Sequence, residues 1–135
     1  MRKILSIPSA VGALVAALGT IASCGGLLEN RVASPVVSGD EVTFRLKSPS
    51  ARTVQIAGDW PGNNWARGDA EAGEVLVGLM RGGAESGVWE VTVRLEPGRY
   101  RYRFLVNESV WLFDPDNPRI VDDGRGGKAN LLIVP

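Results

Sequence analysis

The sequence has no histidine and a single cysteine, Cys24. Those two gaps exclude histidine acid–base relays, Cys/His nucleophile pairs, Cys/His metal clusters and intrachain disulfides, and much enzyme chemistry goes with them. An excess of charge of one sign is also missing: 15 Lys and Arg balance 15 Asp and Glu over 135 residues. Without a basic patch or an acidic tract, a nucleic-acid partner loses the electrostatic attraction it needs. No internal repeat, low-complexity segment or amphipathic helical stretch is evident, and the length suits one domain with a small core.

What is present begins with an address. Arg2 and Lys3 precede the uncharged apolar run "ILSIPSAVGALVAALGTIAS", the layout of a secretory signal. The run closes on Ile21-Ala22-Ser23-Cys24, which resembles a bacterial lipobox and implies a signal peptide over residues 1–23 and lipidation of Cys24. Acyl chains at roughly 0.8 kcal/mol per buried methylene would hold the rest of the chain on a bilayer. An ordinary cleaved signal and an uncleaved anchor helix are the two alternative readings. Removing residues 1–23 takes Arg2 and Lys3 away and leaves the remainder mildly acidic. Gly25 stands where an aspartate would imply inner-membrane retention, so an exported lipoprotein of the cell envelope, at the outer membrane or surface, is expected. Residues 24–39 mix Gly, Ser and Pro without a period and read as the lipidated cysteine and a flexible tether.

From residue 40 to 135 the hydrophobic period is two. In "EVTFRLK", Val42, Phe44 and Leu46 oppose Glu41, Thr43, Arg45 and Lys47, as in a half-buried strand. "TVQIA" repeats the pattern with Val54 and Ile56 inward, and "EVLVGLM", apolar on both faces, suits a strand near the middle of a sheet. "VWEVTVRL" and "RYRYRFLV" alternate strictly around the turn "EPGR" and read as a hairpin. "VWLFD" and "NLLIV" close the chain, separated by the turn-rich "PDNPRIVDDGRGGKA". About seven short strands in roughly 100 residues imply an all-β, immunoglobulin-like antiparallel β-sandwich, an architecture that decides nothing about activity.

The four tryptophans separate by pattern. Trp89 lies on the apolar face of a strictly alternating strand and belongs to the core. Trp60 and Trp65 sit in "GDWPGNNWARGD", a turn-rich stretch with no core face, so each reads either as a lid over the sandwich or as a ligand platform. Trp111 shares a face with Phe113 in a strand apolar on both sides. An indole left in solvent suits the apolar face of a pyranose ring, and by analogy with base stacking each platform is worth roughly 1 to 3 kcal/mol. Arg103, on the polar face beside Arg99 and Arg101, reads either as a solvated strand residue paired with a carboxylate or as a ligand donor.

The segments "VTFRLKSPSARTVQIAGDWPGNNW", "GVWEVTVRLEPGRYRYRFLVNESVWLFDPDNP" and "GKANLLIVP" together resemble, over Glu41 to Val134, the glycogen-binding module of the AMP-activated protein kinase β subunit. The same early-set module precedes the catalytic barrel of isoamylases and glycogen branching enzymes. The resemblance implies binding of an α-1,4-glucan or related oligosaccharide, without catalysis or cofactor, through two tryptophans, a basic residue and an asparagine. These fall on Trp65, Trp111, Arg103 and Asn130, with Trp60 in place of the usual Phe as an auxiliary contact. Aligning "LLIV" puts Ala129 at the family's asparagine position and Asn130 one step later, and Pro61-Gly62 lengthens the loop before Trp65.

Other chemistry is poorly matched. In "FDPDNPRIVDDG" Pro118 takes the fifth position of a calcium loop and Arg125 the twelfth, so turn formation explains its carboxylates better and no metal is expected. "GRGGK" lacks the first glycine and the following Ser/Thr of a phosphate loop and reads as a flexible connection. The expectation is a non-enzymatic glycan-binding module held on a membrane by its N-terminal lipid. An envelope protein-interaction module on the same scaffold is the alternative, and an accessory subunit serving a glycan-processing enzyme is a third reading.

Overall fold

The computed structural model describes residues 32–68 and 76–135. The signal peptide and Cys24 lie outside the described residues. Among the described residues nine strands run in the order β1 (Val36–Ser38), β2 (Glu41–Lys47), β3 (Val54–Gly58), β4 (Arg81–Gly82), β5 (Val88–Arg94), β6 (Gly98–Val106), β7 (Val110–Leu112), β8 (Ile120–Asp122) and β9 (Lys128–Val134). They form two antiparallel sheets, β1-β2-β5-β4 and β3-β6-β9-β8, with β7 also paired to β6. The fold is the all-β, immunoglobulin-like sandwich that the alternation implies.

The core lies between the sheets, where Val42, Phe44 and Leu46 of one meet Val54, Ile56, Tyr102, Phe104 and Leu132 of the other. Phe44 packs edge-on against Tyr102 at 4.8 Å, and Trp89 is buried with its Nε1–H donating to the Ser48 carbonyl at 2.9 Å. β3 lies at the end of its sheet yet is buried along its whole length. Its free edge is covered by the segment after residue 76, where Ile56 N–H donates to the Gly78 carbonyl and Met80 N–H to that of Val54, both at 2.8 Å. That cover removes an exposed edge.

Three expectations change. First, "VWEVTVRL" and "RYRYRFLV" are not a hairpin: β5 pairs with β2 and β4, whereas β6 pairs with β3, β7 and β9. Alternation fixes which face is apolar, and two inward faces are served equally well by neighbours in one sheet or by strands in facing sheets. The crossing is held by Tyr100, whose hydroxyl donates to the Glu96 carbonyl at 2.7 Å, the tyrosine corner of such sandwiches. Second, the end of "EVLVGLM" follows β3 through a single bridge, Gln55 to Leu79, rather than as a central strand. Gly78 has φ +74°, and a Cβ there would sit 2.2 Å from the Ile56 carbonyl oxygen, so the segment turns where a strand would continue. Third, the domain starts before residue 40: β1, within the expected tether, pairs with β2 through a two-residue turn opened by Gly39 at φ +62°, the left-handed opening such hairpins favour.

A polar network closes one end of the core. The Asp114 carboxylate accepts the hydroxyls of Ser34 at 2.6 Å and Tyr102 at 2.8 Å, and the Asp116 N–H at 2.9 Å. Burial pushes the Asp114 carboxyl above its usual range, against the pull of those hydrogen bonds. Burial, then the neighbouring Asp114 charge, pushes the Tyr102 phenol up as well. The two directions agree: Asp114 and Tyr102 share a desolvated site.

Candidate functional site

The outer face of the β3-β6-β9-β8 sheet follows from the strand pattern. Because Val54, Ile56, Tyr102, Phe104 and Leu132 point into the core, Ala57, Arg103, Leu105 and Ala129 point out. Ala57 pairs with Arg103, and Leu105 pairs with Trp111, so Trp111 stands on this face too. β7 and β9 occupy the same edge of β6 in succession, along Phe104–Val106 and Gly98–Tyr102 respectively. Arg103 emerges at the gap between them.

The loop before Trp65 is built on Asn63. Its Oδ1 accepts the N–H groups of Gly58 and Ala66, both at 2.8 Å, and its Nδ2 donates to the Ile56 carbonyl at 2.9 Å. This clamp holds Asn64, Trp65 and Ala66 consecutively at φ +44°, +58° and +66°. Left-handed backbone costs a non-glycine residue roughly 1 to 2 kcal/mol, and such strain persists where the surroundings over-determine it. The result is an indole laid on the small residues Ala57 and Ala129, with Ala66 beside it.

Arg103 lies between the two indoles. Its Cζ is 5.6 Å from the Trp65 ring centroid and 5.0 Å from that of Trp111, within cation–π range of both. Its Nη2 is 3.6 Å from Asp123 Oδ2, and its buried Nε–H has no partner among the described residues. Asp123 Oδ1 accepts the N–H groups of Arg125 at 2.7 Å and Gly127 at 3.0 Å. These backbone donors, ahead of the nearby arginines, hold the Asp123 carboxyl below its usual range. The loop they shape carries Arg125, whose Cζ is 6.0 Å from the Trp65 centroid. Trp65, Arg67, Arg103, Trp111, Asp123 and Arg125 line one cavity of about 360 Å³.

The sequence-expected residues divide. Trp65, Arg103 and Trp111 meet in this cavity. Trp111 is 43 % exposed, but Trp65 is 8 % exposed, its surface taken by the alanine floor and the neighbouring guanidinium groups. Trp65 is therefore a wall of the groove and not the open platform expected. Trp60 is a core residue, 6 % exposed and stacked on Phe44 at 5.8 Å. Gly58 makes room for it: a Cβ there would fall 1.9 Å from its ring. Asn130 is wholly buried, its Oδ1 accepting the Asp114 N–H at 2.7 Å and its Nδ2 donating to the Asn117 carbonyl at 2.9 Å. One step along a strand reverses the face, so Ala129 is at the surface layer and Asn130 inside. Arg125 and Asp123 were hidden in a stretch that reads as connection. The spacing of Asp123 and Gly127, an aspartate closing a turn on later N–H groups, is the signal that could have found them.

An indole on each side of one guanidinium, on the outer face of an early-set sandwich, narrows the comparison. Residues 41–135 match the family described as the glycogen recognition site of AMP-activated protein kinase. The chain belongs to that family. Its match takes in β2 through β9 and every residue lining the cavity. No curated protein matches the sequence. Among solved structures, pullulanase from Bacillus acidopullulyticus is 19 % identical with a TM-score of 0.52, over 76 % of this chain and 12 % of that one. Enterochelin esterase from Shigella flexneri is 19 % identical with a TM-score of 0.53, over 76 % of this chain and 32 % of that one. The chain thus spans a small part of either enzyme, and the likeness is one of fold.

Proposed function

We propose that the groove around Arg103 binds an α-glucan or a related oligosaccharide, and that the protein is a non-catalytic carbohydrate-binding module. The observation that carries this reading is the position of Arg103 between Trp65 and Trp111 in one cavity, together with membership of a glycogen-recognition family. Trp111 offers an open indole for a pyranose face, Arg103 donates to hydroxyls, and Trp65 closes the inner wall until the exposed Arg125 side chain moves aside. A non-catalytic role suits membership of a family described as a recognition site. One shallow stacking site of this kind gives a Kd of roughly micromolar to millimolar.

Tryptophan fluorescence during titration with maltoheptaose tests the reading. A saturable change that disappears in Trp111→Ala and in Arg103→Ala supports it, and no change up to several millimolar sinks it.

The reading includes a membrane anchor. Residues 1–23 would be removed and Cys24 lipidated, which places the module in the envelope of a bacterial cell, at the outer membrane or surface. Cys24→Ser should then shift the protein from the membrane fraction to the soluble one. A second reading, an interaction module for an envelope protein without sugar binding, is favoured by one observation. Val110, Trp111, Leu112 and Phe113 are consecutive and all exposed, an unusual apolar run for a surface strand. Recovery of a protein partner that Leu112→Asp abolishes, with no response to maltoheptaose, would select that reading.

A further inference from the structure

The groove is richer in positive charge than a neutral sugar requires. Among the described residues three arginines, Arg67, Arg103 and Arg125, line it with one carboxylate, Asp123, and that carboxylate already accepts two backbone N–H groups. Elsewhere on the sandwich, arginines reach carboxylates closely: Arg45 to Glu90 at 3.0 Å, Arg94 to Glu41 at 3.3 Å and Arg101 to Asp59 at 2.8 Å. In the groove the corresponding contact, Arg103 to Asp123, is the longer 3.6 Å, and the Arg103 Nε–H is buried without an acceptor among the described residues. A planar guanidinium fork is matched by the paired oxygens of a carboxylate, sulfate or phosphate, and the part of the Arg103 side chain beyond its buried Nε is open to the groove. Hydroxyl groups alone would leave this charge, as it stands among the described residues, uncompensated.

We infer that the groove selects a glycan whose sugar rings carry an anionic substituent, a carboxylate or an oxyanion ester, over the same glycan without it. The inference rests on the glycan-binding function of this groove. Arg103 and Arg125 take the anionic oxygens while the Trp111 indole takes the apolar ring face, so charge and stacking act on one sugar unit.

The test uses the full chain in a non-glycosidic detergent and compares β-cyclodextrin with carboxymethyl-β-cyclodextrin and sulfated β-cyclodextrin by tryptophan fluorescence. At about 0.01 M salt, where charge acts over tens of ångströms, at least one anionic derivative should bind about tenfold more tightly than the neutral ring. The stronger of the two tells carboxylate from ester recognition. The advantage should shrink severalfold near 1 M salt, where screening is nearly complete. Arg125→Gln should remove most of it, whereas Arg94→Gln, on the opposite sheet, should alter neither it nor the neutral ring's affinity. Equal affinity for neutral and anionic rings overturns the inference and leaves the glycan-binding function standing. So does an equal loss in Arg94→Gln and Arg125→Gln, which would mark the preference as nonspecific charge attraction. Failure of all three compounds to bind removes the glycan-binding function itself.

Discussion

On the outer face of the β1-β2-β5-β4 sheet, polar residues stand directly opposite polar partners. Thr43 faces Thr92, Arg45 faces Glu90 and Glu41 faces Arg94, with contacts of 2.8, 3.0 and 3.3 Å between the side chains. On the outer face of the other sheet, Arg103 stands opposite Ala57, and Leu105 opposite Trp111. The first face satisfies itself. The second keeps a small-residue floor, two indoles and a donor without an acceptor among the described residues. Cross-strand pairing adds a few tenths to 1 kcal/mol per pair, so the patch around Arg103, on a face where Arg101 still pairs with Asp59 at 2.8 Å, retains hydrogen-bonding capacity for something else.

The largest effects should come from the tryptophans that sequence alone leaves undivided. Trp60→Ala empties a core position and should cost about 3 to 5 kcal/mol in urea unfolding. Trp111→Ala, on the open face, should leave stability within roughly 0.5 kcal/mol while weakening glycan binding by about 1 to 3 kcal/mol. Trp65→Ala should abolish the ligand-induced fluorescence change with a smaller stability loss than Trp60→Ala, because its indole lies outside the main core. If Trp60→Ala and Trp111→Ala lose stability equally, the division between core and groove is wrong.

A second contrast lies one residue apart on β9. Asn130→Ala leaves the Asp114 N–H and the Asn117 carbonyl without their partners, and should cost about 2 to 4 kcal/mol, as buried polar groups do when orphaned. Ala129→Ser, at the groove floor, should change binding more than folding. A loss of binding in Asn130→Ala without loss of stability would restore the asparagine to the ligand and contradict its burial.

Much of this architecture is legible in the sequence. Alternation in "EVTFRLK", "VWEVTVRL" and "RYRYRFLV" gives the inward faces of β2, β5 and β6, and with them the outward position of Arg103. It cannot give partners, because pairing is decided by contacts distant in sequence, and β5 and β6 consequently fall in different sheets. Nor does it place Trp60 and Trp65, whose separation depends on the Asn63 clamp and on the room left by Gly58. Nor does a period give Arg125: its place beside Trp65 is set by the turn that Asp123 closes. The family resemblance supplied Trp65, Arg103 and Trp111 as a set. It erred at Asn130, where the strand register of this chain turns the asparagine inward.

The groove should also respond to acid in a defined direction. The Asp123 carboxyl is held below its usual range by the Gly127 and Arg125 N–H groups. A depressed carboxylate contributes stability that is fully present above its unfolded pKa and is lost as pH falls through the folded value. Order in the 123–127 loop, and with it the Arg125 contact to Trp65, should therefore persist through the neutral and mildly acidic range and weaken only below the ordinary carboxylate range. Asp123→Asn should flatten that acid limb in a fluorescence titration of the protein without ligand. An unchanged limb in the variant would assign it to another carboxylate.

The smallest effect belongs to the self-satisfied face, and it is the control for the whole comparison. A double-mutant cycle on Arg45 and Glu90, using Arg45→Ala and Glu90→Ala, should return a coupling of about 0.2 to 1 kcal/mol, as exposed pairs do, and less at high salt. Neither single variant should move glycan affinity, since both residues lie on the sheet facing away from Arg103. A measurable loss of binding in Arg45→Ala would mean that the paired face also engages ligand. The unmet hydrogen-bonding capacity around Arg103 would then cease to mark the site, and the search for it would have to include both sides of the sandwich.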